Sequence, residues 1–507
     1  MGLKGQIPPI IGHLCKLKML NLAENSFNGS LQELLSGFSS CQDNEGMASE
    51  LQYLDLSFNS LSGSFPESFQ YLPSLRTLDL SSNRMNGSIT PQSLGQFSQL
   101  VHLDLSWNSW KGVLSEMHFV NVTILETFQI STEKPTWSSS SLVFNVTDDW
   151  LPPFSLCTIY IRDCNVGLVF PVLLQSQTQL VDVVLDNVGI SGSLSEEWLL
   201  KISSQVEFLQ LPNNDIDGKF PFQFKFPKIH FMDLSHNQFE GILPKWMGLE
   251  PLKLHVLQLR SNFRSGNIPQ QLCNLPHLHI LDLSHNNISG TIPTCLSNLT
   301  NLVSGYPPDA YEGDDELTTV IMKGRELVNS GDHTLAYVNT TDFSSNNLEG
   351  EIPEDISSLV GLNSLNLSKN HLVEKISWKF GNLTKLETLD LSHNHLSGEI
   401  PQSFSSLTSL SHLDLSYNNL SGRISSGFQL QTLDNSSYLE NPLLCGFPLS
   451  SKCGGDDPQR NQTFSGGDSE DDNGKLGFYI SMVLGFVIGF WDVSHKEVME
   501  VCIFSIL

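Results

Sequence analysis

An asparagine recurs about every 24 residues along this chain, each time inside a phrase of the form LxxLxLxxNxLxGxIP. The phrase appears nearly complete as LQYLDLSFNSLSGSFP, LRTLDLSSNRMNGSI, LHILDLSHNNISGTIP, LETLDLSHNHLSGEIP and LSHLDLSYNNLSGRI. Its asparagines are Asn25, Asn59, Asn83, Asn108, Asn214, Asn237, Asn262, Asn286, Asn346, Asn370, Asn394 and Asn418. A period in the twenties converts length into a stack of similar turns, and so excludes most globular arrangements before any single residue is weighed.

Each letter has a physical task. In Leu78-Asp79-Leu80 the leucines point inward from a short strand and Asp79 points to solvent, because side chains alternate across a strand. Asn83 follows where the chain leaves the sheet, and its amide can bond backbone groups that the turn would otherwise leave buried and unpaired. Stacked asparagines then form a ladder. Gly87 tolerates a positive φ, and Ile89 turns back into the core. Pro66, Pro293, Pro353 and Pro401 fix an extended outer segment. The predicted fold is an α/β-type leucine-rich repeat solenoid of the plant type, a superhelix with a parallel concave β-sheet. Some fifteen turns at about 4.8 Å would run roughly 70 Å.

The net charge of −27, from 54 acidic against 27 basic residues, argues against a nucleic-acid partner, because phosphate would be repelled. Nine cysteines without CxxC spacing argue against zinc. Cys445 and Cys453 follow the last repeat, where a disulfide would close the end of the core. Cys273 and Cys295 lie nearly one period apart and can be bridged across adjacent turns, and Cys15 with Cys41 makes a third pair. Cys164 falls at a ladder position and reads as a small buried residue, while Cys157 and Cys502 have no assigned partner. Twelve N-x-S/T sequons, at Asn28, Asn86, Asn121, Asn145, Asn287, Asn298, Asn339, Asn366, Asn382, Asn419, Asn435 and Asn461, join the cysteines in favouring a secreted, oxidising setting.

The repeats divide the chain into 1–302, an insert at 303–337, four final repeats at 338–424 and a cysteine cap at 425–454. The period also lapses between Asn108 and Cys164, with Glu133 where asparagine is expected, and the next turn carries Val188 at the ladder position. An insert of that length in a compact array is expected to be functional or disordered. Beyond the cap come an acidic linker at 455–475, an uncharged apolar stretch at 476–491 and a short tail at 492–507. The apolar stretch reaches only about 24 Å as a helix, short of the ~30 Å hydrocarbon core. Gly477, Ser481, Gly485 and Gly489 nevertheless place small groups on one helical stripe, of the kind that lets two membrane helices approach closely. The start in mid-repeat and the acidic tail read as an N-terminal truncation and an aberrant C-terminus.

These features in this order resemble the plant leucine-rich receptor-like proteins, most closely the group that includes receptors for a fungal ethylene-inducing xylanase. The motifs that carry the resemblance are the repeat phrase, the long interruption before the last four repeats, LCGFPL, the acidic linker and FYISMVLGFVIGFW. The resemblance implies a glycosylated single-pass type I plasma-membrane protein with extracellular repeats and no kinase. It implies a protein or peptide ligand, and signalling in plant defence through a separate receptor kinase that pairs by the final repeats and the membrane helix. A secreted inhibitor of a microbial hydrolase and a nonfunctional truncated copy are the alternatives.

Ligand contacts are expected where the strand departs from LDLS, at Trp107, Tyr160, Arg162, Asp163, Asp186, Gln210, Gln258 and Arg260, because Tyr, Trp and Arg most often anchor interfaces. An aspartate column (Asp55, Asp79, Asp104, Asp233, Asp282, Asp342, Asp390 and Asp414) could suggest a glycosidase pair. The same residue repeating along an open sheet, with no pocket to raise one pKa, reads instead as scaffold bonded to serines such as Ser81 and Ser106. His236, His285 and His393 read as solvated face. No catalytic residue, metal or cofactor is expected, and the chain has no P-loop, GxGxxG, HExxH or GxSxG.

Overall fold

The computed structural model describes residues 2–43, 48–132, 142–167, 172–219, 226–249, 252–305, 318–322, 325–329, 338–424, 430 and 433–453. Met1–Cys453 forms one compact unit. The linker, the apolar stretch with Gly477, Ser481, Gly485 and Gly489, the tail, Glu133 and Asn461 lie outside the described residues. Among the described residues, no helix is long and apolar enough to cross a membrane.

Successive turns contribute one short strand each to a 15-stranded sheet that runs in sequence order from Met19–Asn21 to His412–Asp414. All its pairings are parallel and in register, so that Asp55, Asp79 and Asp104 stand side by side. Leu78 and Leu80 are fully buried behind the sheet. On the other side of the leucine core, a second set of strands carries the glycine of each repeat, and short 3-10 helices complete the turn. Pro66, Pro293, Pro353 and Pro401 hold the extended residue that opens such a helix, a place where a missing amide hydrogen costs nothing.

The ladder works by saturating each asparagine. Asn83 Nδ2 donates to the carbonyls of Leu80 (3.2 Å) and Ser81 (3.1 Å) in its own turn and of Leu56 (2.9 Å) in the turn before, and its Oδ1 accepts the Leu61 amide (2.9 Å). The residue before each ladder asparagine sits in the left-handed region, as at Ser82 (φ 52°), His236 (φ 51°) and Tyr417 (φ 53°). That conformation is unfavourable for a side chain, and it persists because the four bonds on the next residue fix the backbone. Where asparagine lapses after Asn108, the ladder position is corrected from Glu133 to Thr132, which pairs with Asn108 and donates its hydroxyl to Asp163 O at 2.7 Å; Cys164 offers its thiol to Arg162 O at 3.3 Å, and Val188 has only its amide to give, to Asn214 Oδ1. The second set of strands breaks over this same stretch, between Ser109–Trp110 and Ser191–Ser193.

Asn441 in the cap adds a rung that the repeat phrase does not announce, bonding Leu415 O, Tyr438 O and Leu439 O and accepting the Leu420 amide. All three expected cysteine pairs are disulfides, with Cα–Cα separations of 5.5 Å for Cys15–Cys41, 5.7 Å for Cys273–Cys295 and 5.0 Å for Cys445–Cys453. In the insert, Thr318–Met322 pairs antiparallel with Arg325–Asn329.

One core position breaks the pattern. Arg264 occupies the place of Phe239 in the turn before and Ile288 in the turn after, each amide bonding the next ladder asparagine. Its side chain is 2% exposed, lies 5.2 Å from the Phe239 ring, and gives one bond to Glu240 O, so burial pulls its pKa down to about 10. A buried cation held by a ring and one carbonyl is dearer than a well-packed apolar chain of similar volume. Arg264→Met is therefore expected to stabilise the fold by about 1–3 kcal/mol, read as a rise in the denaturation midpoint; an unchanged or lower midpoint would contradict the reading.

Candidate functional site

The open face of the long sheet has three columns of outward side chains. The middle column runs Asp55, Asp79, Asp104, Gln129, Tyr160, Val184, Gln210, Asp233, Gln258, Asp282, Asp342, Asn366, Asp390 and Asp414. Neighbours about 4.8 Å away on both sides crowd each member, and the expectation that these aspartates reach solvent is corrected: Asp104, Asp233, Asp282 and Asp342 are buried. Each folds back on the serine two residues on, as Asp79 Oδ1 accepts the Ser81 amide at 2.8 Å and hydroxyl at 2.7 Å. Burial first, and then repulsion from Asp79 and Asp282 respectively, push Asp104 and Asp342 up to about 7; burial holds Asp233 at about 6. The shallow face therefore does raise carboxyl pKa values without a pocket. It raises them together along a row, which is unlike the opposed acid and base of a hydrolytic pair.

The aromatic and basic departures gather where the ladder lapses. Arg162, at the end of Thr158–Arg162, sets Nε 2.8 Å from Asp186 Oδ2 on the next strand. Its guanidinium lies 5.1 Å from the Tyr160 ring and 5.9 Å from the Trp107 ring, within cation–π range. Asn213 donates to the other Asp186 oxygen at 2.7 Å. Trp107 and Asp163 are not strand residues; both occupy the left-handed position before the ladder (φ 55° each). Trp107 is 45% exposed, Tyr160 and Asp186 are half-buried, and Arg162 and Asp163 are buried. Gln210, Gln258 and Arg260 lie farther along and are also buried, with Arg260 Nε 3.8 Å from Asp282 Oδ2. The structure thus brings Trp107, Tyr160, Arg162 and Asp186 into one patch and places the other four beside it, with little surface of their own.

A second constellation escaped sequence reasoning. The residue before the strand is histidine in three consecutive turns, with His230 and His255 ring centres 5.9 Å apart and His255 and His279 6.1 Å apart; His277 adds a fourth ring 5.6 Å from His255. The first outward strand positions beside them are Phe231, Val256 and Ile280, all at most 2% exposed, with Phe208 and Val338 packed against them. The signal was present, since the phrase Leu-His or Ile-His before a strand occurs in all three turns. His236, His285 and His393 are exposed.

Of the sequon asparagines, Asn28, Asn86, Asn121, Asn145, Asn287, Asn298, Asn382, Asn419 and Asn435 are exposed, Asn366 is half-buried within the middle column, and Asn339 is buried. Between Asn145 and Asn287 the chain has no sequon. Cys164 is a free thiol that burial pushes up to about 12, and Cys157 is free and exposed.

Family models for the leucine rich repeat match residues 49–109 and 377–420, and 228–249 and 277–299. Receptor-like protein EIX2 of Solanum lycopersicum is 37% identical over 76% of this chain and 50% of its own length; receptor-like protein 47 of Arabidopsis thaliana is 34% identical over 88% and 57%. The chain spans about half the length of these relatives. Among solved structures, the ectodomain of the Arabidopsis receptor kinase GASSHO1/SCHENGEN3 in complex with CASPARIAN STRIP INTEGRITY FACTOR 2 is similar at a TM-score of 0.65, with 28% identity over 89% of this chain and 53% of that one. The Arabidopsis receptor kinase HAESA, in complex with the peptide hormone IDA and the co-receptor SERK1, is similar at 0.54, with 25% identity over 88% and 77%. Repeat phrase, asparagine ladder, disulfides and these likenesses converge: the chain belongs to the plant leucine-rich repeat receptor-like proteins.

Proposed function

We propose that this chain is a cell-surface receptor whose concave face binds a microbial or endogenous protein or peptide, and that it signals in plant defence through an associated receptor kinase. The observation that carries the reading is the patch of Trp107, Tyr160 and Arg162. It combines a half-exposed indole with a guanidinium held by Asp186 on a rigid sheet, the residue types and the pre-organisation that interface anchors use. The patch adjoins the sequon-free run from 146 to 286, where no N-linked glycan would stand in a partner's way. Likeness to receptor ectodomains solved with such ligands supports a protein or peptide ligand, and the HAESA complex with SERK1 supports a kinase partner. Residues 476–491 are the proposed membrane helix, with Gly477, Ser481, Gly485 and Gly489 as the stripe meeting the partner's helix.

The full chain expressed in leaf cells and challenged with a fungal culture filtrate should give an oxidative burst and co-purify a receptor kinase from detergent extracts. Trp107→Ala combined with Arg162→Ala should weaken the response roughly tenfold or more while the chain stays in the membrane fraction. Extraction by salt alone, which a secreted inhibitor would show, or an undiminished burst in the double variant would overturn the reading.

A further inference from the structure

The histidine stack has no part in the proposed ligand patch, and it rides on the backbone relay that joins every turn to the next, as Val101 N–H to Arg76 O at 2.8 Å does elsewhere. In each of three successive turns a histidine amide or its neighbour hangs from the carbonyl of the histidine before: His255 N–H donates to His230 O at 2.8 Å, His279 N–H to His255 O at 3.0 Å, and Thr340 N–H to His279 O at 2.9 Å. The rings therefore stand over one another at roughly the strand spacing. The last ring also holds the chain where it rejoins the sheet after the insert, with His279 Nδ1 2.9 Å from Val338 O. Immediately beside the rings, Phe231, Val256 and Ile280 project from the face that elsewhere carries Thr, Asp and Ser, and Val338 packs on them.

We propose that His230, His255 and His279 form a proton-sensitive latch. Neutral rings keep Val338 and the apolar patch closed, and their protonation opens this part of the concave face without unfolding the solenoid.

The charges facing the stack set the order of events. Among the described residues, Glu207 lies 3.9 Å from His230 Nδ1 and favours a proton there, while Lys253 and His277 oppose charge on His230 and His255 alike. His230 is half-buried and His255 and His279 are buried. A first proton on His230 thus places a cation about one strand spacing from His255, whose ring has Lys253, His277 and His279 on its other sides. Burial first, then those neighbours, hold His255 down at about 3, and burial lowers His279. A histidine whose folded pKa lies below its free value binds its proton only when the site opens, so the closed form loses ground as pH falls below about 6.5. Opening would present Phe231, Val256 and Ile280 as an apolar strip that neutral medium keeps covered, a surface suited to an apolar segment of a partner.

The test is hydrogen exchange on the full chain in detergent at pH 7.5 and pH 5.0, with each amide normalised to its intrinsic rate. Protection of the His279, Ile280 and Thr340 amides is expected to fall about 30-fold between the two for each histidine that must shed its proton to close. The Thr388 amide, which bonds Asn363 O several turns away, should hold its protection. His255→Phe and, as a smaller polar alternative, His255→Gln should each remove one such factor, whereas His236→Gln on the exposed rim should leave the fall intact. Equal protection at both pH values would sink the latch. So would a fall shared by Thr388, which would mean global loosening, or a fall unchanged in both His255 variants.

Discussion

Asn370→Ala is expected to destabilise the solenoid by about 3–5 kcal/mol, as much as truncating a buried leucine. Asn370 is buried and makes four bonds, donating to Phe343 O (2.9 Å), Leu367 O (3.2 Å) and Ser368 O (3.1 Å) and accepting the Leu348 amide (2.9 Å). Alanine strands these backbone groups where water reaches them poorly, at about 1–3 kcal/mol for each that finds no substitute. It also frees Lys369 from the restraint that holds its φ at 53°, so the turn can relax into conformations incompatible with its neighbours. Because each turn leans only on those next to it, the loss should appear as local fraying and protease cleavage around 343–370 before the whole array melts. Cys164→Ala, at a ladder position where a weakly bonding thiol reaches Arg162 O at 3.3 Å and Thr132, should cost far less by the same measurement. Equal losses at the two positions would show that the ladder is decoration on a stack held by leucines alone.

The contrast between those two positions also explains what could be read from the letters. Leucines and asparagines were legible because each answers to a demand repeated in every turn, an inward methyl group or a saturated turn. The left-handed residue before the ladder was invisible, since the bonds on its successor fix its backbone and leave its identity to drift through Phe58, Ser82, Trp107, His236 and Lys369. Trp107 and Asp163 were accordingly read as strand residues when they cap it. Gln210, Gln258 and Arg260 were read as open surface because alternation tells which side a residue faces. How much its neighbours cover depends on side chains a period away, and those are long here. Arg264 shows the converse, an ionisable letter in a slot that the repeat pattern places in the core and its charge alone would place outside. The histidine stack needed three turns compared in register, and its meaning came only with Val338 resting on it. Residues 476–491 remain a reading of the letters, since they lie outside the described residues.

Asp104→Asn should raise stability at pH 8 by about 4 kcal/mol and at pH 5 by less than half as much. The folded protein holds the Asp104 carboxyl up from 3.8 to about 7, through burial first and the nearby Asp79 second. Between those values the native state keeps a proton that the unfolded chain has released, so this aspartate's stabilising share is complete below about pH 4 and is lost as pH climbs to about 7. Above that, the native state carries a buried, repelled carboxylate, and the amide removes it. The substitution keeps what the site needs, because Asp104 Oδ1 serves as acceptor for the Ser106 amide at 2.8 Å. The chain already contains the variant: Asn366 occupies the same column, accepts the Ser368 amide at 3.1 Å and hydroxyl at 2.7 Å, and gives its own NH2 to Asp342 at 3.1 Å. Asn21 does likewise with the Ala23 amide and Asp55. An asparagine at 104 can make the same donation toward Asp79 and relieve that neighbour too. Denaturant midpoints for wild type and variant at pH 8 and pH 5 decide the matter. An equal gain at both pH values would assign the effect to packing, and a loss at pH 8 would mean that the row is stabilised by its charges, as if a cation sat among them. The histidines act in the opposite sense, since His230, His255 and His279 are lowered and withdraw stability below about pH 6.5. With carboxyls gaining from about pH 7 downward and imidazoles losing from about 6.5, the solenoid should be most stable in mildly acidic medium, and the histidine variants should shift that optimum to lower pH.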